Sequence, residues 1–116
     1  MLTILIKKIR YMIVLEQDEI NTFYLLLQNN YRLVSGTNIY DFKIIDSFNH
    51  TSKIIEIEDI SLSNIVSEFV ITTTSIKNDE DLGLGIVNLK LNKRYIYELS
   101  INGVIIDTNF LTVIEK

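Results

Sequence analysis

Near the end of the chain, between the apolar runs Leu99-Ser100-Ile101 and Val104-Ile105-Ile106, stands the dipeptide Asn102-Gly103. A two-residue loop joining antiparallel strands in a type I′ turn needs positive φ at both positions, and Asn-Gly is the favoured pair for it. The dipeptide therefore predicts a hairpin, and with it part of an antiparallel sheet. Counting outward places Ile101 opposite Val104, Leu99 opposite Ile106, Tyr97 opposite Thr108 and Tyr95 opposite Phe110 on one face, with Glu98 opposite Asp107 on the other. An aromatic and aliphatic face backed by a mixed one suits a sheet that covers a core on one side.

The rest of the chain repeats the pattern. Residues 12–15, Met-Ile-Val-Leu, open the domain proper, and Met12 is an alternative candidate for the first residue of the native chain. Residues 21–28 read as a strand closed by Asn29-Asn30, with a short helix as the rival because Phe23, Leu26 and Leu27 also fit helical spacing. Residues 39–45 alternate, with Tyr40, Phe42 and Ile44 on one face and Asp41 and Lys43 on the other. A polar turn around His50 leads to a second alternating run at 53–57, and the two pair as a hairpin. A long strand over 65–73 carries Ile65, Phe69 and Ile71 in register. After the polar, Gly-containing stretch 76–85, expected to be the most mobile loop, come a short strand at 86–89 and the Asn-Gly hairpin. Seven or eight strands, no convincing helix and no repeat predict an all-β fold, an antiparallel sandwich of immunoglobulin-like type.

With 116 residues the chain has length for a single core. Its apolar set is dominated by Ile, Leu and Val, a bias toward sheet. The lack of Cys rules out disulfides and thiolate metal sites, and one His rules out zinc sites built from several imidazoles. A net charge of −4 with dispersed basic residues speaks against nucleic acid as a partner. No segment approaches the roughly 18 to 20 uninterrupted apolar residues of a membrane span, so no membrane partner is expected. Residues 1–11 set an apolar run before Lys7, Lys8 and Arg10, the reverse of a secretory signal, and read as an extension or arm ahead of a domain at 12–116.

Chemistry-bearing residues are sparse. Asp79-Glu80-Asp81 is the one cluster of hard oxygen ligands, but it lacks the alternating spacing of a calcium loop and reads as a solvated acidic loop. Gly83-Leu84-Gly85 lacks the third Gly and the strand-to-helix context of a phosphate loop. His50 has no orienting partner and reads as an exposed turn residue, while Asn49-His50-Thr51 is a weak glycosylation match. No cofactor and no enzymatic activity are expected. The phrase Leu89-x-Leu91-x3-Tyr95-x-Tyr97-x-Leu99 resembles the strand of immunoglobulin-like sandwiches that starts at a tyrosine corner, so at least one of these tyrosines is expected to be structural. The alternative is an exposed pair that stacks on a glycan or a partner.

The order Tyr40-Asp41-Phe42, Asp59-Ile60-Ser61, the Phe69 strand, the 82–89 segment and Tyr95-Ile96-Tyr97-Glu98 resembles small virion proteins of tailed bacteriophages of Bacteroidota, including the crAss-like group. The chain departs from that pattern at Lys93, where Gly is usual, and at Leu62-Ser63-Asn64. The resemblance implies a non-enzymatic virion component, assembled in the bacterial cytoplasm. It would be a capsid auxiliary protein or head-fibre base, contacting the major capsid protein or other virion proteins, with a homo-oligomer as a further option. Partner contacts are then expected from Leu2, Ile4, Ile6, Lys7, Lys8 and Arg10 of the arm, adding a strand to a neighbour, and from Asp79, Glu80 and Asp81. The runner-up is a β-sandwich module that binds a carbohydrate or host surface protein through a face near Tyr31, Tyr95 and Tyr97.

Overall fold

A computed structural model of the chain describes residues 12–26, 39–60 and 66–116. These form eight strands: β1 (Met12–Glu16), β2 (Ile20–Leu25), β3 (Ile39–Asp46), β4 (Thr51–Glu58), β5 (Ser67–Thr74), β6 (Ile86–Asn88), β7 (Arg94–Ile101) and β8 (Val104–Ile114). A five-stranded sheet has the order β1-β8-β7-β3-β4 and a three-stranded sheet the order β2-β5-β6. The fold is the expected all-β sandwich, with two parallel pairings, β1 with β8 and β5 with β6, among otherwise antiparallel ones.

Period-two alternation decides what the sheets enclose. Tyr40, Phe42 and Ile44 of β3, Ile55 and Ile57 of β4, and Tyr95, Tyr97 and Leu99 of β7 are all buried on the inner face of the larger sheet. Phe23 and Leu25 of β2 and Phe69 and Ile71 of β5 face them from the smaller sheet. Rings bridge the layers: Phe23 lies 5.6 Å from Phe42 and 5.7 Å from Phe69, Tyr40 meets Phe69 edge-on, and Phe42 stacks on Tyr97 at 5.3 Å. Such offset and edge-on contacts contribute about 0.5–1.5 kcal/mol each beyond area burial. The segment beginning near residue 21 is thus a strand, because pairing with β5 puts Phe23 opposite Phe69.

The connections follow from the same constraints. Two parallel neighbours such as β5 and β6 cannot be joined by a tight turn and need a crossover. The polar stretch after β5 supplies it, as two 3₁₀ turns (Lys77–Asp79 and Leu82–Leu84) and a bridge between Asp81 and Ile86. At the β1–β2 corner the Asn21 side chain accepts from the Glu16 N–H at 2.7 Å and donates to the Glu16 carbonyl at 3.0 Å, so the chain leaves one sheet for the other with its backbone groups bonded.

The Asn-Gly hairpin forms with positive φ at Asn102 (52°) and Gly103 (81°), and Ile101 faces Val104 as expected. Beyond Ser100 the register departs from the simple count. Ser100 pairs with Ile105 but Leu99 pairs with Asp107, so Ile106 is an extra residue in a β-bulge. Tyr97 is therefore opposite Asn109, Tyr95 opposite Leu111, and Glu98 opposite Thr108. A one-residue shift exchanges faces. Leu111 and Val113 take the buried positions, and Phe110, expected beside Tyr95, lies on the outside.

Candidate partner-binding surface

Two polar tips of buried rings are accounted for first. Lys90 N–H donates to Tyr95 Oη at 2.9 Å, the bond of a tyrosine corner, made to backbone just upstream of the strand. Tyr97 Oη donates to Asp107 Oδ2 at 2.8 Å, which the bulge has brought to the inner side. Tyr95 and Tyr97 are 6 % and 1 % exposed, so both are structural and neither offers a ring to a glycan. That removes two of the three tyrosines on which the carbohydrate reading stood, and the third, Tyr31, lies outside the described residues.

The acidic triplet does not act as one cluster. Asp79 is exposed at the end of the first 3₁₀ turn, and Asp81 exchanges backbone bonds with Ile86. Glu80 turns inward, where its carboxylate accepts from Lys53 Nζ and from the Asn88 N–H at 2.8 Å. Partial desolvation pushes the Glu80 carboxyl up, but the bonds from Lys53 and Asn88 and the charge of Lys53 outweigh it, leaving the pKa lowered. Among the described residues no group of acidic or imidazole side chains is arranged to hold a metal ion. Leu2, Ile4, Ile6, Lys7, Lys8 and Arg10 lie outside the described residues. His50 is exposed in its turn.

A cavity of about 150 Å³ opens beside Asp46, Lys53, Asn88 and Tyr95. Its charged groups are engaged with their neighbours. Lys53 bonds Glu80 and the Asn88 carbonyl, and Asp46 binds Lys93 and accepts from the Phe48 and Asn49 N–H groups. The bond from Lys93 in particular holds the Asp46 carboxyl below its ordinary value. The cavity is a by-product of ion pairs that fasten the β3–β4 turn and the crossover to the sandwich.

The outer face of the five-stranded sheet is different in kind. Register places Met12 beside Phe110, Phe110 beside Ile96 and Ile96 beside Ile45, an apolar row crossing β1, β8, β7 and β3. Val14 and Ile114 flank it toward one end, and Ile54, Ile105 and Ile39 toward the other. Exposure of Val14 is 52 %, of Ile54 54 % and of Phe110 39 %, so the row and its flanks are accessible, with Arg94, Asp41 and Glu56 also on this face. Arg94 sits over the Phe110 ring, 4.7 Å from its centroid. Glu98 and Lys43 lie opposite each other in the next row.

The sequence carries a signal for this face. Val14-Leu15, Ile44-Ile45, Ile54-Ile55, Tyr95-Ile96 and Phe110-Leu111 put apolar side chains on both parities of every strand in the sheet. Such runs mark sheets covered on both sides. Assigning one apolar face to each strand hides it. No family model matches the chain, and no curated protein matches it.

Proposed function

We propose that the chain is a non-enzymatic structural component of a bacteriophage virion, an auxiliary protein attached to the capsid. The observation that carries the assembly part of this reading is the apolar row Met12, Phe110, Ile96 and Ile45 across the outer face of the larger sheet. The inner faces are already filled by aromatic and aliphatic side chains, and an apolar row with charged residues at its rim suits a protein interface. The virion assignment adds the resemblance of the Tyr40-Asp41-Phe42 and Tyr95-Ile96-Tyr97-Glu98 phrases to small phage virion proteins. Contacts with the major capsid protein or other virion proteins belong to the same proposal. The test is to purify intact particles and measure the protein against the major shell protein. A fixed stoichiometric ratio that survives further purification is the expected outcome, and its absence from washed particles overturns the assignment.

A further inference from the structure

We infer that the outer face of the five-stranded sheet is occupied by a second copy of this chain. The inference rests on reading that face as an assembly surface and is independent of the virion assignment.

The argument is one of self-complementarity. Arg94, Ile96 and Glu98 are alternate residues of β7 and therefore share the outer face, with the apolar Ile96 between a cation and an anion. A two-fold axis passing just outside Ile96, parallel to the sheet and perpendicular to the strands, sets β7 face to face with an antiparallel β7. Arg94 then meets Glu98 of the partner subunit, and Glu98 meets Arg94 of the partner subunit. On β8 the same axis passes Phe110 and interchanges Thr108 with Thr112, and on β3 Lys43 lies opposite Glu98, so each Glu98 stands between its own chain's Lys43 and Arg94 of the partner subunit. The apolar row Met12, Phe110, Ile96 and Ile45 lies along the axis and packs on its own copy. An isologous contact requires this property, that a patch be complementary to itself.

Size is adequate. Five strands at about 4.8 Å spacing and eight residues at about 3.3 Å give a face of roughly 24 by 26 Å. That is about 600 Å² before side-chain relief is counted, close to the roughly 800 Å² per partner of an ordinary stable interface. Face-to-face packing of two twisted sheets at about −30° is a standard layer geometry.

The test is sedimentation equilibrium on the full chain, alone in solution. A dimer is expected, with Ile96→Lys raising the dissociation constant at least about a hundred-fold, because two lysines would meet on the axis. Arg94→Glu or Glu98→Arg alone should raise it about ten-fold, and the double exchange R94E/E98R, made with Lys43→Met so that no cation faces position 98, should return it to within about three-fold of Lys43→Met alone. The charge variants change exposed or half-buried positions, so the rescue remains readable even where Ile96→Lys disturbs folding. A monomer at about 0.1 mM overturns the inference. So does a dimer indifferent to Ile96→Lys, or one that the double exchange does not restore. A protein stoichiometric on particles yet monomeric alone defeats the dimer and leaves the virion reading standing.

Discussion

The two faces of the five-stranded sheet are built from the same strands, the inner one almost wholly apolar and the outer one an apolar row bordered by Arg94, Glu98, Lys43, Asp41 and Glu56, and they hold opposite positions in the molecule. Inward, Phe42, Tyr97 and Leu99 are in contact with a second sheet and have no measurable or almost no exposure. Outward, Ile45, Ile96 and Phe110 lie next to the buried Ile44, Tyr97 and Leu111 along their strands and form a row on the surface. What separates them is the smaller sheet, which reaches only one side, and the polar tips on the inner face, which are matched to partners within the chain. A face that also orients hydroxyls is committed to folding, and one that is apolar with a flanking charge pair is suited to association.

The sharpest way to break the comparison is to cut equivalent volume from each face. Ile44→Ala removes an aliphatic side chain buried on the inner face at 2 % exposure, and a loss of about 2–5 kcal/mol in urea unfolding is expected. Ile45→Ala, on the next residue but the other face, should change monomer stability by under about 1 kcal/mol, since its side chain is already partly solvated. Equal losses at the two sites would remove the distinction. Tyr97→Phe tests the polar tips. It keeps the ring and strips the donor from Asp107, for an expected cost of about 1–3 kcal/mol, measurable by the same titration.

Acid sensitivity separates the sandwich from its surface more gently. The Asp46 and Glu80 carboxyls are both held below their ordinary values, of 3.8 and 4.5, in the folded chain. A depressed carboxyl contributes stability that is fully present above its unfolded pKa and is lost as pH falls through its folded one. The urea midpoint should therefore hold on descending to about pH 5 and fall below about pH 4. Lys93→Met and Lys53→Met should flatten that fall, whereas Lys43→Met on the outer face should leave it unchanged. An equal effect from Lys43→Met would place the acid response outside these pairs.

How much of this was legible beforehand depends on sequence distance. Tyr40, Phe42 and Ile44 could be assigned to the core because period two is local, and Tyr95 could be assigned to a corner because its partner is Lys90, close upstream. The parallel pairing of β1 with β8 joins opposite ends of the chain, and nothing local announces it. The bulge was equally silent. Ile105 and Ile106 differ in no composition cue, so a count from Asn102-Gly103 runs through them and places Phe110 inward. The same shift hides the outer row, because with Phe110 counted inward the line from Met12 to Ile45 is interrupted at β8.

Ile106 matters beyond local geometry. Because it is one residue with no counterpart on β7, its removal would join Ile105 to Asp107 and leave every later pairing as it is, Phe110 beside Ile96 and Leu111 beside Tyr95. A straight ladder that kept Ile106 would instead turn Phe110 and Thr112 inward and Leu111 and Val113 out. The bulge is thus a place where a lineage carrying this fold can lose one codon without altering what the surface beyond it displays.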